Sequence, residues 1–153
     1  MKKVLASLSI FIFSLSLLNA QTSGEKYDSL LAKKLHADDY GMKNYILVLL
    51  KTGSNTLLDK VAEDSIFHGH LNNIGRLAKN GDLVLAGPFG TNSENYRGLF
   101  VLNVSNFEDA KKLLATDPAI KAKLLEPELY LWYGSASLQE MLPIHNKIQK
   151  LKF

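Results

Sequence analysis

Between residues 59 and 81 the apolar side chains recur at intervals of three and four: Phe67, Leu71, Ile74 and Ala78, flanked by Ile66 and Leu77. At ~100° per residue this spacing predicts one amphipathic helix with those four positions at the centre of its buried stripe. His70 falls inside the buried face, about 40° from its centre, whereas His68 lies about 120° away and meets water. Asn80-Gly81 closes the helix, because glycine enters the left-handed conformation past the last turn at little cost.

Four other stretches follow a different rhythm. Residues 44–50 are apolar on both alternating faces, which predicts a strand covered on both sides. Residues 82–89 and 98–104 read as a second and third strand, joined by the polar, glycine-bearing loop 90–97, and residues 128–133 read as a fourth. Ser105-Asn106-Phe107-Glu108 has the S-x-x-E form of a capping box, so a helix starts there and carries Ala110, Leu113 and Leu114 inward. It ends before Pro118, since the residue ahead of a proline is pushed out of the helical region. Tyr27, Leu30, Leu31 and Leu35 predict a short amphipathic helix over 25–39. At the other end Ser137 opens a candidate cap, and Ile144, Ile148 and Leu151 form a last amphipathic turn or two after Pro143.

The core order is therefore strand, helix, strand, strand, helix, strand. It belongs to the α+β class in its ferredoxin-like βαββαβ form, with additional terminal helices. The helices cover one face of the sheet. The other face is lined by aromatic and branched side chains and needs a cover of its own. A second copy packed sheet against sheet supplies one, giving a homodimer; the chain's own tail is the alternative.

Composition changes this picture at one end. A chain of 153 residues, 46% hydrophobic and 22% charged, suits one globular domain. Its first twenty residues are unlike the rest: Lys2 and Lys3, an apolar run from Val4 to Leu18, then Asn19-Ala20 before polar residues. That is the pattern of a cleaved signal peptide and predicts a secreted or periplasmic bacterial product. The resulting division is 1–20 signal peptide, 21–42 helical extension, 43–134 α+β domain and 135–153 helical tail.

Removal of Lys2 and Lys3 leaves 16 basic and 15 acidic residues, so no basic surface argues for nucleic acid or, after signal cleavage, for a membrane. The absence of cysteine excludes disulfides, thiolate nucleophiles and cysteine metal sites. No glycine-rich phosphate loop is present, and an exported address argues against cytosolic cofactors. The expected cofactor and metal are none, and the expected partners are a small-molecule ligand and a second copy.

Several short motifs now line up: His70-Leu71, the run Asn80-Gly81-Asp82-Leu83-Val84-Leu85-Ala86-Gly87-Pro88-Phe89, Gly98, Phe107-Glu108-Asp109-Ala110, Asp117-Pro118 and Leu131-Trp132. In this order and spacing, residues 43–133 resemble the YCII-related (YciI-like) family. The resemblance implies a dimeric ferredoxin-like α+β barrel. It also implies a histidine and aspartate pair as active site, at His70 and Asp117.

On its own residues, His70 is either a half-buried core histidine or a general base in a pocket, and the second role needs a partner. Asp117, ahead of Pro118, is a good helix N-cap with proline at the first helical position. Cap and partner both stand, and the two carboxylate oxygens allow one residue to do both. A carboxylate bonded to one imidazole nitrogen fixes the tautomer and raises the basicity of the other nitrogen, which is equipment for moving protons. No Gly-x-Ser-x-Gly elbow is present to favour an acyl-enzyme.

Tyr45 and Tyr133 are candidate substrate-binding phenols, against the commoner role of strand aromatics in the core. Gly87 is a candidate for close ligand approach, against an ordinary Gly-Pro turn. Arg97 is a candidate anion holder, against a solvated loop arginine. Two functional classes result: an exported, cofactor-independent enzyme of isomerase or lyase type with His70 as base and Asp117 as its orienter, and a non-catalytic module that binds a small molecule in the same cleft.

Overall fold

The computed structural model describes residues 26–151, so the expected signal peptide lies outside the described residues. Four strands, β1 (Met42–Thr52), β2 (Leu83–Pro88), β3 (Tyr96–Leu102) and β4 (Leu125–Ser135), form one sheet in the order β2-β3-β1-β4. All three pairings are antiparallel. Helices α2 (Lys60–Asn80), α3 (Phe107–Leu114) and α4 (Pro118–Lys121) lie in the β1–β2 and β3–β4 connections. This is the ferredoxin-like α+β topology that the order of elements predicts.

Strand parity divides the apolar residues between two faces. Ile46, Val48 and Leu50 of β1, with Phe100 and Leu102 of β3, point toward the helices and form the main core with Leu77, Ala110, Leu114 and Ala119. Burying each large aliphatic side chain contributes roughly 1.5–3 kcal/mol. Tyr45, Val84 and Val101 form a second cluster on the opposite face, packed against Leu47, Leu85, Leu99 and Leu138.

Leu138 belongs to a short 3-10 turn (Ala136–Glu140) that leads into α5 (Met141–Ile148), so the tail covers part of the outer face. The same turn is tied to α1 (Ser29–Lys34) by the Lys34–Glu140 ion pair at 2.7 Å and by the Gln139 amide donating to the Leu35 carbonyl at 2.7 Å. Beyond the tail's reach, Tyr130 and Trp132 remain open to water and Leu47, Leu49 and Leu99 are half-buried.

Four expectations need correction. The first helix spans only Ser29–Lys34, because Asp28 caps it through the Leu30 and Leu31 amides and His36 turns left-handed at φ 53°. The cap of α3 is Asn106 and not Ser105, with its side chain accepting from the Asp109 amide at 2.9 Å. The last helix begins at Met141, with Pro143 accommodated in its first turn where an amide is not needed.

Most consequential, β3 starts at Tyr96, two residues early. The Asn92 side chain accepts from the Glu94 and Tyr96 amides and donates to the Gly90 and Tyr96 carbonyls, which closes the loop before Arg97. The Phe89 amide then donates to the Arg97 carbonyl at 3.0 Å, placing Arg97 on the strand.

Candidate active site

Helix α2 ends at left-handed Gly81, as its sequence indicates, and starts at an Asp59 cap whose side chain accepts from the Ala62 amide. Its most buried side chains are His70, Asn73 and Leu77, one position back from the expected centre, while Leu71 is 44% exposed. Two of these three are polar, so the helix turns a hydrogen-bonding surface toward α4. Gly69 permits the approach: a Cβ there would stand 3.0 Å from the Pro118 ring.

The approach brings Asp117 to His70. Asp117 is fully buried and caps α4, its Oδ1 accepting from the Ala119 amide at 2.9 Å and the Ile120 amide at 3.3 Å. Its Oδ2 lies 2.8 Å from His70 Nδ1 and accepts from Asn73 Nδ2 at 3.2 Å. Cap and histidine partner are thus one carboxylate with a division of labour between its oxygens.

Burial opposes ionisation of Asp117, but the bonds from His70, Asn73 and Ile120 outweigh it and hold the pKa below the ordinary carboxylate range. An ionised Asp117 accepts, so Nδ1 carries the proton and donates. The lone pair of neutral His70 is then on Nε2.

Behind the pair stands a second tier. Arg76 donates to Asn73 Oδ1 and to Thr116 Oγ1, both at 2.7 Å, and Thr116 donates to the Leu113 carbonyl at 2.6 Å. The Arg76 bond fixes which way the Asn73 amide points, and Asn73 in turn fixes Asp117. Sequence reasoning missed these residues. The available signal was an asparagine three residues after His70, a polar side chain on a helix face that must be buried.

The imidazole is held by aromatic neighbours as well. Its ring stacks on Phe100 with centroids 5.8 Å apart and meets Phe67 edge-on at 6.0 Å. It forms part of the wall of a cleft of about 340 Å³ between α2 and the sheet, at the lower end of the ~300–1,000 Å³ of small-molecule sites. The other walls are mainly apolar, among them Leu50, Leu71, Ile74, Ala86 and Leu125. Nε2 has no protein partner, and no buried side-chain nitrogen or oxygen among the described residues lacks one, so this nitrogen is open to the cleft.

Of the remaining candidates, Gly87 lines this cleft through its backbone. Gly98 beside it must be glycine, because a Cβ would stand 2.9 Å from the Gly87 carbonyl oxygen. The two tyrosines do not reach the cleft. Tyr45 is fully buried on the outer face, opposite Trp132 in the register, and its hydroxyl donates to the Ser135 carbonyl at 3.0 Å.

Tyr133 stands at the far end of the sheet and donates to Asp38 at the edge of a separate, open polar hollow of about 520 Å³. That bond, with those from the Met42 and Tyr40 amides, lowers the Asp38 pKa, and it raises that of Tyr133. Among the described residues no three histidine, aspartate or glutamate side chains cluster as metal ligands would.

Neither a scan against protein-family models nor a search of curated proteins finds a match. Among solved structures, the chain is similar to 5-chloro-2-hydroxyhydroquinone dehydrochlorinase from Burkholderia phenoliruptrix AC1100 in complex with 2,5-dihydroxybenzoquinone. The identity is 17% and the TM-score 0.41, over 57% of this chain and 92% of that one. The fold assignment rests on the strand order and register described above.

Proposed function

We propose that this protein is an exported enzyme of isomerase or lyase type that needs no cofactor and moves a proton on a small molecule held in the apolar cleft. The observation that carries the reading is the 2.8 Å contact between His70 Nδ1 and Asp117 Oδ2, which leaves Nε2 as a free base facing the cleft. His70 takes the proton from substrate carbon or oxygen. Asp117 holds the tautomer and stabilises the imidazolium that forms. The apolar walls keep bulk water from competing for the proton.

The YciI-like resemblance of the sequence points to the same two residues. The exposed aromatic and aliphatic positions on the outer sheet face support a homodimer through that face. The exported address rests on residues 1–20.

The test is deuterium exchange by NMR in D2O on a panel of small cyclic and open-chain ketones as carbon acids. The wild-type protein should exchange the proton next to the carbonyl faster than buffer, and His70→Gln should fall back by about 10²–10⁴-fold. Exchange at the buffer rate throughout, or exchange unchanged in His70→Gln, overturns the enzyme reading. Ligand-induced shifts of cleft resonances without any exchange would instead indicate a binding module.

A further inference from the structure

The His70 cleft contains one formally charged side chain, Arg97. Among the described residues Arg97 makes no ion pair and its guanidinium donates no hydrogen bond, whereas Arg76 donates to Asn73 and Thr116. Arg97 is also not a loop residue free to fold away. Its carbonyl accepts from the Phe89 amide, and the next residue, Gly98, is paired with Pro88 in the ladder. The register of β1 and β3 slips here, Leu50 facing Gly98 and Lys51 facing Tyr96, so Arg97 is the extra residue of a bulge and lines the cleft instead of sharing the outer face with Leu99.

The same residue borders a second cavity of about 270 Å³ that shares Phe67 with the first. Its lining differs in kind: Thr52, Asn55, Thr56 and Glu63 supply polar groups where the His70 cleft is apolar. Glu63 is not within ion-pair distance of Arg97. Arg97 thus stands between an apolar compartment that holds His70 and a polar one.

We infer that Arg97 selects the substrate, and that the substrate is a small molecule with an apolar body and one carboxylate-like anionic group. The body occupies the cleft against Phe67 and Phe100, with its reacting proton toward His70 Nε2. The anionic group pairs with the Arg97 guanidinium, whose fork matches two carboxylate oxygens, and extends toward the polar compartment. A neutral molecule of the same shape leaves the guanidinium unpaired at the edge of an apolar surface. This inference rests on the cleft being the substrate site, but its test reads binding alone and does not depend on turnover.

The experiment is an NMR titration of the mature protein with matched pairs of probes: benzoate against benzamide, and cyclohexanecarboxylate against its primary amide. The acids should bind about tenfold tighter than the amides, with shifts at Gly98, Phe100 and His70. Arg97→Gln should bring the acids down to the level of the amides and leave amide binding unchanged; Arg97→Lys should restore part of the difference. The inference fails if amides bind as tightly as acids, if no acid shifts the cleft, or if Arg97→Gln leaves the acids unaffected. A positive result with no proton exchange on any substrate would remove the enzyme reading and keep Arg97 as the specificity residue.

Discussion

Asp117→Asn is the sharpest single perturbation of this site, because an amide fits the space and fails the chemistry. Asparagine is as good an N-cap as aspartate, so its oxygen stays on the Ala119 and Ile120 amides where Oδ1 sits now. The NH2 group must then take the place of Oδ2, facing His70 Nδ1 and Asn73 Nδ2. His70 meets a donor where it had an acceptor, so its proton moves to Nε2 and the free base disappears from the cleft.

Asn73 fares no better. Turning its amide to offer oxygen to residue 117 would put its NH2 against the Arg76 guanidinium, now 2.7 Å from Oδ1. One donor is stranded in either arrangement. Replacing a charge-assisted bond by a neutral one costs about 1 kcal/mol and a stranded buried donor about 1–3 kcal/mol, so the variant should lose roughly 2–4 kcal/mol.

Urea unfolding measures the loss, and long-range 15N spectra read the tautomer of His70 directly. Acidification supplies a second check. Folding lowers the Asp117 pKa below its usual 3.8, so the ionised carboxylate contributes stability above that pH and loses it as pH falls through the folded value. The stability gap between wild type and variant should therefore narrow below about pH 4. A His70 that keeps its proton on Nδ1 in the variant, at undiminished stability, would refute the proposed division of labour between the two oxygens.

Three further outcomes follow from the structure. Asn73→Ala removes the donor to Asp117 and the acceptor of Arg76, and should cost about 1–3 kcal/mol in urea unfolding while leaving the cap of α4 intact. Gly53→Ala places a Cβ 2.1 Å from the Lys123 carbonyl oxygen, against backbone that cannot swing aside, and should destabilise by about 3 kcal/mol or more by thermal unfolding. Leu49→Lys puts a charge in the exposed outer face of the sheet; light scattering should show a dimer for wild type and a monomer for the variant, and a wild-type monomer would remove the sheet-face homodimer.

The order of elements was legible because each signal is local: a continuous apolar run in β1, three-and-four spacing in α2, and the Gly81 and Asp117 caps. The rotation of α2 was not. Its buried face is set by what α4 offers, and a polar offer drew His70 and Asn73 inward at the expense of Leu71. Arg97 was read as loop because nothing in residues 90–97 shows from spacing that Asn92 would close the turn early.

The two tyrosines were misplaced for a simpler reason. Alternation tells which residues share a face of a strand but not which face meets the helices, and Tyr45 fell on the other one. Tyr133 is on the helix face, but at the end of the sheet away from His70. The pairing of His70 with Asp117, 47 positions apart, came from a family resemblance and could not have come from periodicity.

Helix α4 is a single turn, four residues long, and its cap Asp117 is also the carboxylate bonded to His70. A single turn can open as a local unit without global unfolding, here against the burial of Ala119 and Asp117. Each opening of this turn would release Asp117 from the Ala119 and Ile120 amides and from His70 at once, while the sheet stays whole. Hydrogen exchange at those two amides would then report the fraction of time Asp117 is paired with His70, and temperature or a bound ligand would tune that fraction before any loss of the fold itself.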